Sequence, residues 1–218
     1  MRIPKHPVNT SELSAPEAAI WRKAPSERID LIGTPVALQP SPFIVNTWRN
    51  KPVGKITSLN FSALHNGEVL ALRLSWADPH LDVDLRDNDR FPDGAAVMFP
   101  LKGDAPLFSM GSPEQPVNAW HWRADRPTAA RNNIAMGLGS SRVTGNAAKE
   151  ITTVADYKNG HWQVIFLRKL MSTGSASSAV QFASGATNKI AFAVWEGSNG
   201  ERGGLKAFSP QWRDITLA

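Results

Sequence analysis

Glu68-Val69-Leu70-Ala71-Leu72-Arg73-Leu74-Ser75-Trp76 is the stretch on which the fold turns. Leu70, Leu72 and Leu74 share one parity and Val69 and Ala71 the other. Strand side chains alternate between faces, so a strand that is apolar on both parities is buried on both sides or paired centrally. Segments of similar character surround it at 57–63, 95–100, 117–123, 162–167 and 189–196. All are short, β-branched or aromatic, and punctuated by Gly, Pro, Asn and Asp. No window of ten or more residues carries a convincing apolar stripe at i, i+3, i+4, i+7. Many short strands with loop-rich connections predict an all-β fold, an antiparallel β-sandwich.

The rest of the chain fits one such domain. At roughly 150 residues per domain, 218 residues make one large unit or two small ones, and no internal repeat divides them. Residues 1–42 hold seven prolines and read as an extended N-terminal lead-in packed on the domain, with at most a short strand near 31–38. Residues 43–218 form the sandwich. The longest apolar runs, 95–99 and 190–195, fall far short of the ~18 residues of a membrane span. Met1 to Pro7 has basic residues but no apolar segment behind them, so it is not a secretory signal as written, and a mature, processed form is compatible with it.

The chain has no cysteine, which excludes disulfides, thiolate zinc sites and iron–sulfur ligation by its own residues. The net charge of +5 sits entirely in the second half, where residues 110–218 carry 12 Lys and Arg against 7 Asp and Glu. These cations are scattered singly, which speaks against nucleic acid and suits an anionic ligand or an acidic partner.

Four groups of residues invite a chemical reading. Asp78, Asp82, Asp84, Asp87, Asp89 and Asp93 crowd sixteen positions, but Arg86 stands where an EF-hand loop needs a ligand, and the glycine is missing. The stretch reads as a solvated, turn-forming loop. His6, His65, His80, His121 and His161 are dispersed, and no nucleophile elbow, phosphate loop or His-Glu-x-x-His is present. Trp76, Trp120, Trp122 and Trp162 fall on strands, with Trp120 and Trp122 on one face and His121 on the other. They form an aromatic core, a wall for a flat ligand, or a platform for sugar rings. Two glycine- and proline-rich loops, 101–116 and 197–210, carry Met110 and Lys206. A loop methionine is ordinarily packing and a loop lysine a solvated charge. A thioether is nevertheless a usable axial donor to haem iron, and a lysine amine ligates once burial and the cation's field remove its proton.

Phe91-Pro92-Asp93-Gly94-Ala95-Ala96-Val97-Met98-Phe99-Pro100, then Met110-Gly111, then Val117-Asn118-Ala119-Trp120-His121-Trp122-Arg123-Ala124-Asp125, and finally 190–209 together resemble the haem b gamma subunits of the periplasmic molybdenum enzymes related to dimethyl sulfoxide reductase. Their parent enzymes include ethylbenzene dehydrogenase, dimethyl sulfide dehydrogenase, selenate reductase and chlorate reductase. The resemblance runs from about Trp48 to the C-terminus. It implies an immunoglobulin-like antiparallel β-sandwich with long loops and a few short helices, holding one non-covalent haem b. Met110 matches the family's axial methionine and Lys206 its lysine. The matching loop holds no histidine, so a histidine ligand would have to come from His121 or His161. The resemblance further implies a periplasmic electron-transfer subunit without substrate chemistry of its own. Its partners would be an iron–sulfur beta subunit, a molybdenum-containing alpha subunit and a soluble c-type cytochrome, with no nucleic acid and no membrane. A carbohydrate-binding sandwich that uses exposed tryptophans is the competing expectation.

Overall fold

A computed structural model describes residues 1–85, 89–144 and 149–218; Arg86 and Asp87 of the acidic stretch lie outside the described residues. The strands are β1 (Arg2–Ile3), β2 (Ser26–Asp30), β3 (Ile32–Gly33), β4 (Ser58–His65), β5 (Val69–Ala77), β6 (Gly94–Pro100) and β7 (Val117–Arg123). They continue with β8 (Arg126–Ala135), β9 (Arg142–Val143), β10 (Thr152–Lys158), β11 (His161–Lys169), β12 (Thr187–Trp195), β13 (Ala207–Phe208) and β14 (Arg213–Leu217). Two short α-helices, α1 (Thr10–Ser14) and α2 (Pro42–Trp48), precede β4. Among the described residues no helix is long and apolar enough to cross a membrane.

The strands run in the order β1-β14-β12-β6-β7-β8-β10-β11-β5-β4-β2. This ribbon of strands folds back on itself into two layers. β8 belongs to both, pairing with β7 along its length and with β10 at Ala129 and Thr152. β1 and β14 are parallel, while the pairs that build the two layers are antiparallel. Between the layers lies one large apolar core. Trp122 meets Trp162 edge-on at 5.1 Å and Trp76 at 6.3 Å, and Phe61 of β4 meets Phe192 of β12 at 4.8 Å.

The decisive strand is buried on both faces. Leu70, Leu72, Leu74 and Trp76 enter the core between the layers. Val69 and Ala71 point outward, where Leu13 and Trp21 cover them together with Leu64, Ile165 and Leu167. The first forty-two residues therefore supply side chains to the packing, since Ile3, Leu13, Trp21, Ile29 and Leu31 are all buried. The short strand expected near 31–38 is present as β3, with β2 before it, and Val36–Leu38 is a 3-10 turn that starts just after Pro35. Pro35 has no N–H to give to a ladder, which ends the strand there.

Candidate functional site

One sheet face is covered by the N-terminal segment; the opposite outer face, on β12, β6 and β7, has another character. Because Ile190, Phe192, Val194, Val97 and Phe99 face the core, alternation turns their neighbours outward. Cross-strand register lines these neighbours up in rows: Trp195, Gly94 and Arg123; then Ala193, Ala96 and His121; then Ala191, Met98 and Ala119. The middle of this face is thus floored by alanine, with larger side chains at either end. These alanines are themselves buried, covered by side chains from the neighbouring loops and strands. Leu107, Phe208 and Trp195 pack at its margins, with the Phe108 ring set edge-on against Phe208 at 5.2 Å.

Met110 comes to this face from the loop between β6 and β7, packing in one cluster with Met98, Val117, Ala135 and Trp212. Its backbone is left-handed, with φ of 58°. Only Asn159 shares that property among the described non-glycine residues. A bulky residue in this region costs about 1–3 kcal/mol and persists where its surroundings fix it. Three bonds do so: Met110 N–H donates to Leu107 O at 3.0 Å, Gly111 N–H to Pro106 O at 2.8 Å, and Gly137 N–H to Met110 O at 3.1 Å. Gly111 follows with φ of 83°, and a Cβ there would come within 2.8 Å of Gln115 O and 3.1 Å of Ala135 O. Gly111→Ala is expected to lower stability by about 1–3 kcal/mol in urea unfolding. An unchanged urea midpoint would mean that this turn does not need glycine.

Lys206 reaches the other end of the same face, just before β13. Its carbonyl accepts from Thr34 N–H at 2.9 Å and from the Thr34 hydroxyl at 3.0 Å, which fixes the backbone. Its ammonium Nζ lies 5.6 Å from the centroid of the Trp195 ring, and that indole is held in turn by its N–H bond to Gly203 O at 3.0 Å. Among the described residues Nζ makes no ion pair and no hydrogen bond. Burial alone pushes the amine down to about 8. It is a buried amine that gives up its proton more readily than an ordinary lysine, and among the described residues no carboxylate holds it.

His121 stands between these ends, its ring 4.7 Å from that of Trp195. Burial, helped by the charges of Arg123, Arg131 and Lys206, pushes it down to about 4, so it is neutral at neutral pH. His161 is exposed at the start of β11 in the other layer, with Nδ1 against Asn159 O, and has no place on this face. A small open cavity of about 110 Å³ at the Trp195 end is lined by Phe91, Gly94, His121, Arg123, Trp195 and Arg202. Glu201 lines the same cavity, and Arg123 is ion-paired with Asp125 at 2.9 Å, so acidic and basic groups share this end of the face.

The structure corrects two readings. The acidic stretch is not a solvated loop at its ends, because Asp78 and Asp93 are fully buried and only Asp89 is exposed among Asp82, Asp84 and Asp89. The tryptophans do not form a sugar platform. Trp76, Trp120, Trp122 and Trp162 are core, Trp21 and Trp48 are buried, and Trp195 and Trp212 are half-buried, so none of the eight is exposed. What the sequence did not reveal is the alanine floor itself, although Ala96, Ala119, Ala191 and Ala193 share one parity on three strands.

The donor set suits a haem. A thioether and an unpaired amine approach one apolar face from two separate loops, and cations rim it. The fold is a β-sandwich with an alanine-floored outer face. Among solved structures, the fold is similar to a family 9 carbohydrate-binding module from Caldicellulosiruptor kristjanssonii in complex with glucose, with a TM-score of 0.54 and 11% identity over 100% of this chain and 96% of that one. A putative carbohydrate-binding protein from Bacteroides uniformis gives a TM-score of 0.54 and 11% identity, over 100% and 98% of the two chains. At such identities the likeness is one of fold.

Sequence comparison is more particular. Residues 18–149 and 135–207 match the family model described as ethylbenzene dehydrogenase, and the chain belongs to that family. It is 34% identical to the chlorate reductase subunit gamma of Ideonella dechloratans, over 92% of this chain and 78% of that protein. It is 33% identical to a putative respiratory nitrate reductase heme subunit of Haloferax mediterranei, over 90% and 66%. The dimethylsulfide dehydrogenase subunit gamma of Rhodovulum sulfidophilum is 31% identical, over 90% and 72%.

Proposed function

We propose that this chain is the electron-transfer cytochrome b subunit of a periplasmic molybdoenzyme complex of the chlorate or selenate reductase, or hydrocarbon or dimethyl sulfide dehydrogenase, type. It binds one haem b between Met110 and Lys206. It relays electrons between a soluble c-type cytochrome and an iron–sulfur beta subunit, which serves a molybdenum-containing alpha subunit. The observation that carries this reading is the pair of donors: a methionine held in a strained backbone and a lysine without a partner, at the two ends of one alanine-floored face.

The chain's residues have distinct tasks. Ala96, Ala119 and Ala193 present only methyl groups on this face, while Leu107, Phe208 and Trp195 pack over it and exclude water. The turn around Gly111 fixes Met110 so that the thioether needs little ordering on binding, which is how preorganisation improves affinity. Burial lowers the proton affinity of Lys206, so its amine gives up the proton at small cost. Arg131 and Arg202 complement a cofactor that carries carboxylates, whereas Arg123 is held in an ion pair by Asp125 at 2.9 Å. Without cysteine this sequence offers no thiol for covalent attachment, so Met110, Lys206 and the shape of the face would hold the haem. Met110 and Lys206 would hold the haem, which would supply one-electron exchange, and two protein donors would leave it no place for a substrate, so the subunit would act as a relay without catalysis.

Titrating the purified chain with haemin tests this directly. One equivalent should bind, giving a six-coordinate low-spin absorption spectrum. Ala96→Leu, which raises the floor at its centre, should weaken binding at least about tenfold, ~1.4 kcal/mol, while leaving the fold of the unloaded chain intact by circular dichroism. A colourless chain that takes up no haemin, or an Ala96→Leu variant that binds like the wild type, would overturn the assignment.

A further inference from the structure

Asp78, Asp93 and Glu196 are 0%, 0% and 4% exposed, and one carboxylate oxygen of each lies within 4.8 Å of the others. They come from three places in the fold: the residue after β5, the residue before β6 and the residue after β12. Burying three carboxylates together is costly without compensating charge. Among the described residues none of the three pairs with a lysine or arginine. Their hydrogen bonds leave capacity over. Asp93 accepts from Gly197 N–H at 2.9 Å, Asp82 N–H at 3.0 Å and Trp162 Nε1 at 3.0 Å. Glu196 accepts from Asn199 N–H at 2.9 Å and from the Ser198 hydroxyl. Asp78 Oδ1 accepts from His80 N–H at 3.1 Å, whereas its Oδ2, sealed from solvent, has no hydrogen-bond partner. Asp82 Oδ2 beside them is sealed and unpartnered as well.

We propose that Asp78, Asp93 and Glu196, with Asp82 beside them, form a calcium site that clamps the root of the 197–206 loop onto the sandwich. The chemistry is that of a hard cation, since every donor is an oxygen. Oxygens within 4.8 Å of one another are bridged by a central ion at the ~2.3–2.6 Å of calcium–oxygen contacts. Magnesium usually keeps several waters, and these buried carboxylates leave them little room. The mechanical consequence follows from the chain path. Glu196 begins the loop, Gly197 N–H is bonded to Asp93, and Glu196 N–H donates to Glu201 Oε2 at 3.2 Å, so an ion at this point ties the loop to the ends of β5 and β6. The site is separate from the haem reading and does not rest on it.

The test uses the haem-free full chain, stripped with a chelator and dialysed, so that loss of haem binding cannot be mistaken for loss of the cation. Titration with calcium chloride should show one ion per chain by metal analysis. It should also raise the melting temperature saturably, by about 5–10 °C at a hundredfold excess over Kd. Magnesium chloride at equal ionic strength should give a much smaller rise. Asp78→Asn removes one ligand charge at constant shape. It should weaken calcium binding at least about tenfold while melting no lower than wild type in chelator, because it also removes a buried uncompensated charge. A merely structural loss would lower that baseline. If Asp78→Asn fails to fold, Glu196→Gln carries the same expectation. The proposal is overturned by absence of bound calcium with no calcium-dependent melting shift, by an equal response to magnesium, or by a wild-type calcium response in the folded variants. A protein that gains stability only on acidification from pH 8 to pH 6, with no response to calcium, shares protons among these carboxylates and also overturns it.

Discussion

Replacing Lys206 by arginine is expected to convert the haem-loaded chain from a six-coordinate low-spin to a high-spin spectrum and to weaken haem retention at least about tenfold, ~1.4 kcal/mol. Arginine keeps the charge and much of the length, but its guanidinium stays protonated in proteins and offers no lone pair to a metal. A lysine that merely neutralised a carboxylate or stacked on Trp195 would be replaced well, because arginine does both. Lys206→Ala should behave like Lys206→Arg. The one substitute donor close by is His121, neutral because burial holds it down to about 4 and only 4.7 Å from the Trp195 ring. If Lys206→Ala remains low-spin while Lys206→Ala with His121→Ala does not, the histidine has moved in. Low-spin spectra and undiminished affinity in Lys206→Arg itself would reject the lysine as a ligand.

Trp122→Ala should cost about 3–5 kcal/mol in denaturant unfolding and lower the melting temperature by roughly 6–20 °C. Its ring is fully buried at the meeting point of both layers, against Trp162 and Trp76, and its indole N–H donates to Pro127 O at 3.2 Å. Truncation leaves a large void, and this void carries the cost, because Pro127 O keeps its bond from the Thr153 hydroxyl at 2.8 Å. Trp122→Phe keeps most of the volume and loses chiefly a hydrogen bond to a carbonyl that retains its Thr153 donor, so about 0.5–1.5 kcal/mol is expected. A Trp122→Ala loss below about 1 kcal/mol would contradict the placement of the ring in the core.

The contrast between the two tryptophan-bearing faces shows how far a sequence can be read. Val117–Arg123 was legible to the residue, because alternation separates Trp120 and Trp122 from His121, and the structure puts the indoles in the core and the imidazole outside. Glu68 to Trp76 was legible as a doubly buried strand, though not what covers its second face, since Leu13 and Trp21 lie some fifty residues upstream. β8 escaped because Arg126–Ala135 carries polar residues without a clean alternation and has only part of its length buried. β10 escaped too, although Asn159-Gly160, with φ of 52° and 73°, is a strong hairpin signal that ties it to β11. Met110 and Lys206 stood out only through family resemblance. Nothing local in the sequence marks the left-handed backbone of the one or the unpaired amine of the other, because both depend on contacts made across the fold. The acidic stretch misled for the same reason: Asp78 and Asp93 look like loop residues, and only the closing of the sandwich over them makes them a buried cluster with Glu196.

The assignment of Met110 is open to one decisive measurement, the proton magnetic resonance spectrum of the reduced, haem-loaded chain. A methionine bound to the iron holds its terminal methyl over the face of the macrocycle, where the ring current drives the methyl protons far upfield of all other protein signals. The wild type should show one such three-proton signal, and Met110→Leu should lose it. A wild-type spectrum without the signal, or one that survives in Met110→Leu because neighbouring Met98 supplies the sulfur, would contradict the ligation on which the electron-transfer reading stands.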